Sequence, residues 1–161
     1  MLGLNDLIPS DISTAEIKER ILKAEEIMRT MPQLELQTKH YFADGTYARE
    51  ILIPAGCILT GRIHRNNDYN IVYYGEMDVM TEHGMKRVVG PCSFTGKAGV
   101  KQIGVAYSDC LWTTIHATNE TDFDALEEAL YLPEEGEMMF DYATGKVKHP
   151  TVESTVEGEL K

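Results

Sequence analysis

Residues 53–79 read IPAGCILTGRIHRNNDYNIVYYGEMDV. Two turn signals, Pro54-Ala55-Gly56 and Tyr74-Gly75-Glu76, bracket short runs rich in Ile, Val and Tyr, the residues that fit a pleated, half-buried surface. The same rhythm continues on both sides. Ala43-Asp44-Gly45, Glu82-His83-Gly84, Gly90-Pro91, Lys97-Ala98-Gly99 and Ser108-Asp109 divide residues 40–118 at intervals of roughly ten residues, the signature of a small sandwich or barrel. Strands are predicted over 47–53, 71–74, 77–80, 85–89, 99–106 and 111–117. No strand–helix–strand alternation occurs, which excludes a parallel, doubly wound sheet.

Helices flank this region. Ser13 with Glu16 forms a capping box. Ile17, Ile21, Ala24, Met28 and Met31 then recur at three- and four-residue spacing, so a helix over 13–31 is expected, stopped by Pro32. A second helix is expected over 121–131, with Thr121 as its N-cap and Phe123, Leu126 and Leu130 on one side; Pro133 stops it. The remaining residues are acidic but carry Met138, Met139, Phe140, Tyr142 and Val147, which suggests packing rather than a free tail. A chain of 161 residues fits one domain: a helical segment over 1–39, a barrel over 40–118, and a helix with an acidic segment over 119–161.

The net charge of −11 is unevenly placed: residues 119–161 hold 12 acids and 3 bases, whereas 40–118 hold seven of each. Without a basic face the chain is not expected to bind a nucleic-acid polymer. No apolar run approaches the length of a membrane span. The first residues lack a basic, then apolar, leader. The three cysteines (Cys57, Cys92 and Cys110) fall outside any CxxC spacing and read as thiols in a reducing cytoplasm. Ser93 and Ser108 sit in no nucleophile motif, and no phosphate-cradling glycine loop occurs.

Ile53-Pro54-Ala55-Gly56, Gly61-Arg62-Ile63-His64, Tyr74-Gly75-Glu76-Met77-Asp78-Val79 and Ala98-Gly99-Val100 together resemble the cupin superfamily, and more narrowly the small single-domain cupins carried by tailed bacteriophages. The resemblance implies a mainly β fold: a double-stranded β-helix, or jelly roll, with a pocket inside one end. Cupins usually place His-x-His, a Glu four residues on, and a later Pro-x-Gly-x-x-His around a metal. In this chain His64 takes the first position. Asn66 stands for the second His, Asn70 for the Glu, Lys97 for the Pro and Gln102 for the last His; only His64 and Gly99 match. The glycines are displaced as well, Gly56 and Gly75 by two residues and Gly90 by one. Amide oxygens bind transition ions weakly, so neither a metal nor another cofactor is expected, and binding is favoured over catalysis.

Arg62, His64 and Asn66 alternate and would share one strand face, which the position of His64 in the pattern assigns to the barrel interior, opposite Asn70 and Gln102. Such a lining suits a polar, anionic or nucleotide-like small molecule. Alternatives stay open at several positions. Arg62 could instead pair outward with Glu50 or Asp78, and Asn66 and Asn70 lie in a stretch that also reads as a turn. Tyr74, on the face of Asn70, serves either the pocket or the core. Trp112, Thr114 and His116 share one face of the last strand, and Leu111, Thr113 and Ile115 the other; either could be inside. The expected protein is therefore a homodimer or higher oligomer. It holds a small molecule in the barrel or at a subunit interface, and in a phage it would sequester a host signalling molecule. The competing readings are a metal-dependent isomerase or dioxygenase using His64 and His116, and an interaction protein acting through its termini.

Overall fold

The computed structural model describes residues 13–133 and two short strands beyond them. Helix α1 (Thr14–Met28) is followed by nine strands: β1 (Gln37–Ala43), β2 (Thr46–Ile53), β3 (Ile58–Gly61), β4 (Asp68–Tyr74), β5 (Glu76–Thr81), β6 (Gly84–Val89), β7 (Cys92–Gly96), β8 (Gln102–Ala106) and β9 (Cys110–Ala117). Helix α2 (Phe123–Leu130) comes next, then β10 (Met139–Phe140) and β11 (Val147–Lys148), which pair with each other. The nine strands form two antiparallel sheets, in the orders β1-β2-β9-β4-β7 and β3-β8-β5-β6. Consecutive strands thus cross repeatedly between the sheets, which makes a cupin-like jelly roll with flanking helices. The expected packing of Met138–Phe140, Tyr142 and Val147 concerns side chains outside the described residues.

Three strands escaped the pattern. β1 begins at Gln37, inside the segment expected to be helical. β3 is only four residues long, and β7 (Cys-Ser-Phe-Thr-Gly) holds one large apolar side chain, so neither carries a periodic signal. α1 stops at Met28, short of Pro32; Thr30 and Met31 continue as tight turns onto Ile27 and Met28, and Met31 is exposed rather than on the buried stripe. Asp122, not Thr121, caps α2, because its carboxylate accepts from the Ala125 amide at 3.0 Å.

The register sorts the barrel interior into layers. In the five-stranded sheet Ile51, Trp112, Val72 and Cys92 lie side by side; the next inward layer is Arg49, Thr114, Asn70 and Phe94; the next pairs Tyr47 with His116 and Asp68 with Gly96. The facing sheet runs in parallel, from Met77, Ala106 and Val88 through Leu59, Gly104, Val79 and Lys86 to Gly61, Gln102 and Thr81. One end is accordingly an apolar plug, containing Ile53, Cys57, Val72, Met77, Val88 and Cys110. The other end is polar. Glycine is required where β4 turns into β5: Gly75 has φ +106°, and a Cβ there would stand 2.6 Å from the Cys110 Cα.

α1 lays Ile17 and Ile21 on Met80, Ile103 and Val105, the outer face of the four-stranded sheet. The same contact buries a charged group. Glu25 Oε1 accepts from Thr60 Oγ1 at 2.5 Å and from Lys101 Nζ at 3.2 Å, and both charged side chains are essentially fully buried. Removing Lys101 leaves the buried Glu25 carboxylate with only the longer contact to Arg29 Nη2 at 3.7 Å as its charge partner. Lys101→Met should therefore lower the unfolding free energy by about 3–5 kcal/mol. Adding Glu25→Leu should recover part of that loss, a non-additivity that denaturant unfolding of the two single variants and the double variant measures.

Candidate functional site

The polar end of the barrel encloses a cavity of about 330 Å³. Of the residues singled out from the sequence, Arg62, His64, Asn70, Gln102 and Trp112 line it. His116 stands just behind, with its ring 5.2 Å from that of His64, edge to face. Asn66 is exposed on the loop. The alternation expected through 62, 64 and 66 fails because β3 ends at Gly61. Beyond it the chain is pinned elsewhere: the Arg65 amide donates to the Leu130 carbonyl at 2.8 Å, the Leu132 amide to Ile63 at 2.9 Å, and the Gly99 amide to His64 at 3.0 Å. Tyr74 also points away. The β4–β9 register shifts between Val72 and Tyr74, and a one-residue bulge reverses the face of the residues after it, so Tyr74 is left about half exposed.

One hydrogen-bonded chain organises the inner wall. Asn70 Oδ1 accepts from Trp112 Nε1 at 2.9 Å and from Thr114 Oγ1 at 3.0 Å. Its Nδ2 donates to Asp68 Oδ1 at 2.6 Å, and the other Asp68 oxygen meets His64 Nδ1. The open question of β9 is thereby resolved: Trp112, Thr114 and His116 face inward. Gly96 makes room for this arrangement, since a Cβ there would come within 2.9 Å of Asn70 Nδ2 and closer still to Asp68 Oδ1.

Arg62 lies inside, and it pairs with neither Glu50 nor Asp78. Its Nη1 meets the Glu127 carboxylate of α2, and its guanidinium lies 4.8 Å over the Tyr131 ring. Asp78 is occupied by Arg87, at 2.5 and 3.2 Å, and by the Tyr107 hydroxyl at 2.7 Å. α2 thus closes the polar end, with Leu126, Leu130 and Tyr131 packed on Tyr47. Cys57 and Cys110 belong to the apolar plug, where burial pushes both thiols up; their position is that of core residues rather than nucleophiles.

Sequence reasoning missed Asp68, because the strand was expected to begin at Ile71. With β4 starting at Asp68, positions 68 and 70 share a face by simple alternation. Arg49, Phe94, Lys86 and Tyr131 also went unassigned. Arg49 sits on a predicted strand whose inner face was left open, and nothing local marks Tyr131 as a wall residue.

The metal cage implied by the cupin pattern does not fit the residues at its positions. His64 is joined there by Asn70 and Gln102, Asn66 is on the outside, and the donors are neutral amides. A different set does converge. One ligand atom each of His64, Asp68 and His116 lies within 4.8 Å of the other two; the competing metal-dependent reading of the sequence names His64 and His116 but not Asp68.

Burial and the charges of His64 and Arg49 push the His116 imidazole down to about 4, against the pull of Asp68. Burial raises the Asp68 carboxyl, but the hydrogen bond and charge of His64, the Asn70 amide and the charge of His116 together hold it below the usual range. Both shifts work in one direction. The unfolded chain takes up a proton at residue 116 near pH 6.5, whereas the folded chain resists it until about pH 4, so stability falls as pH drops through that window. Asp68 extends the loss below the ordinary carboxylate range. Urea midpoints of metal-free protein between pH 4.5 and 8 should show this slope, and His116→Asn should flatten it.

The chain matches no protein-family model and no curated protein. Among solved structures it is similar to protein NMB1881 from Neisseria meningitidis, at 10% identity and TM-score 0.46 over 58% of this chain and 96% of that one. It is likewise similar to a cupin domain from Bordetella pertussis, at 15% identity and TM-score 0.44 over 55% and 98%. A third is the cupin domain of Schizosaccharomyces pombe Cnp3, at 14% identity and TM-score 0.45 over 60% and 81%. None of the described helices is long and apolar enough to cross a membrane.

Proposed function

We propose that this protein binds a small anionic molecule carrying a planar ring, with the ring inside the barrel and its charge toward the mouth. The observation that carries this reading is the charge of the cavity wall. Arg49, Lys86 and Lys97 line it together with Arg62, whose charge Glu127 meets from α2, and Asp68, already engaged by His64 and Asn70, is the one carboxylate among the described lining residues. This excess of cations lies in a chain of net charge −11, so it is local to the site. Trp112 and Phe94, edge to face at 5.5 Å, supply an aromatic wall. Lys86 Nζ, 3.8 Å above the Phe94 ring, and the exposed Lys97 and His83 supply the rim.

A volume of about 330 Å³ sits at the low end of small-molecule sites, which run from about 300 to 1,000 Å³. It suits one ring system with one or two acidic groups, hence a nucleotide-like ligand. In the phage setting that the sequence resemblance implies, holding such a molecule without converting it would withdraw a host signal from circulation. A homodimer belongs to the same reading: β1, β7, β3 and β6 are sheet edges, and edges are commonly covered by a partner. Sedimentation of the full chain tests that part.

The experiment is native mass spectrometry of the full chain after exposure to cell extract, followed by titration with nucleoside monophosphates and their cyclic forms. The expected result is one ligand per subunit, recovered unchanged, with affinity falling as salt rises. Trp112→Ala should weaken binding at least about tenfold, a loss of about 1.4 kcal/mol. Lys86→Ala with Lys97→Ala should remove most of the salt dependence. Failure of every anion to bind, or binding indifferent to Trp112→Ala, overturns the proposal. Recovery of an altered ligand would establish catalysis in place of storage.

A further inference from the structure

Three side chains from three separate parts of the chain meet at the inner end of the cavity. His64 comes from the segment after β3, Asp68 from the head of β4 and His116 from β9. An imidazole nitrogen of each histidine and a carboxylate oxygen all lie within 4.8 Å of one another. Donors bound to one first-row cation at about 2.0–2.2 Å stand roughly 3–3.5 Å apart, so small side-chain rotations would close the set. The surroundings fit a ligand role. Asn70 Nδ2 fixes one Asp68 oxygen at 2.6 Å and leaves the other directed toward His64, the kind of outer contact that orients metal ligands.

His116 supplies the second, independent observation. It is only 5% exposed, yet its imidazole makes no hydrogen bond among the described residues. Its ring stands edge to face with that of His64 at 5.2 Å, and a cation held with His64 and Asp68 would give this buried imidazole a polar partner. Neither Asp68 nor His116 stands at a position of the cupin pattern; Asn70 and Gln102, which do, carry only amides.

We propose that His64, Asp68 and His116 bind one divalent first-row transition cation. Two imidazoles and one carboxylate suit Zn²⁺, Fe²⁺, Co²⁺ or Mn²⁺. Because His64 and Asp68 both line the cavity, the remaining coordination positions open into it. This inference does not depend on the anionic-ligand reading: the cation can bind with the cavity empty, and anions can bind through the lysines and Trp112 without it.

The test uses full-length, tag-free protein stripped with chelator, then dialysed against Zn²⁺ and separately against Co²⁺. Bound metal is counted by elemental analysis, and the Co²⁺ site is read from its visible absorption. The expected result is one ion per chain, a spectrum without thiolate ligation and a raised thermal midpoint. Asp68→Asn, His64→Gln and His116→Gln should each weaken binding at least about a hundredfold, while Cys92→Ser should leave it unchanged. Should His116→Gln fail to fold, the other two variants decide, since both alter the cavity side of the site. Substoichiometric metal in the wild type overturns the proposal. So does binding that survives Asp68→Asn and His64→Gln, or a thiolate spectrum.

Discussion

Asp68 is a carboxylate held inside a barrel, and the site is built around what that requires. A buried charge is tolerated only when its oxygens are engaged, so Asp68 needs a donor on each: the Asn70 amide on one and the His64 ring on the other. Asn70 can donate in that direction because its carbonyl is taken by Trp112 and Thr114 on the neighbouring strand. The orientation of one amide thus links the aromatic wall to the carboxylate and then to the imidazole. The link depends on the β4–β9 register, since a slip of one residue would present Tyr69 and Ile71 to the interior instead.

The remaining elements hold that register and close the space it leaves. The bulge between Val72 and Tyr74 lets β4 leave the interior after its inward side chains have been placed. Gly96 keeps the adjacent strand from touching Asp68 and Asn70. On the far side, β3 is too short to carry His64, and the task passes to backbone hydrogen bonds, donated by the Leu132 and Gly99 amides and accepted from Arg65 by the Leu130 carbonyl. α2 is therefore part of the site: it brings Glu127 to Arg62 and delivers Tyr131 against both His64 and Arg62.

The jelly roll was legible in the sequence because turn residues recur at the right interval and the longer strands are rich in β-branched residues. The inward placement of Asn70 and Gln102 was legible through the cupin pattern, and that of His64 through its match to it. Other features lacked any local signature. Asp68 looks like part of an Asn-rich turn, and only the true start of β4 makes it an inward residue. Asn66 and Tyr74 were misplaced by reasoning that was correct for an unbroken strand; a strand end and a bulge, both set by tertiary contacts, reversed it. The partner of Arg62 lies 65 residues away on a helix, a distance over which sequence spacing carries no geometric information.

The layered register also constrains how a ligand could sit. Polarity changes along the barrel axis in steps of two residues, from Ile51, Trp112 and Val72 to Arg49, Thr114 and Asn70 and on to the layer of His116 and Asp68, while Lys86 and Lys97 stand at the rim. An apolar ring finds matching surface at the Trp112 layer, and an anionic group finds cations at the rim. A molecule uniformly polar along its length would leave the Trp112 and Phe94 faces without apolar contact, and one uniformly apolar would bring no counter-charge to Lys86 and Lys97 at the rim. Under the proposed reading this gradient is what would favour an amphipathic ligand, and it arises from nothing more than side-chain alternation acting on strands held in fixed register.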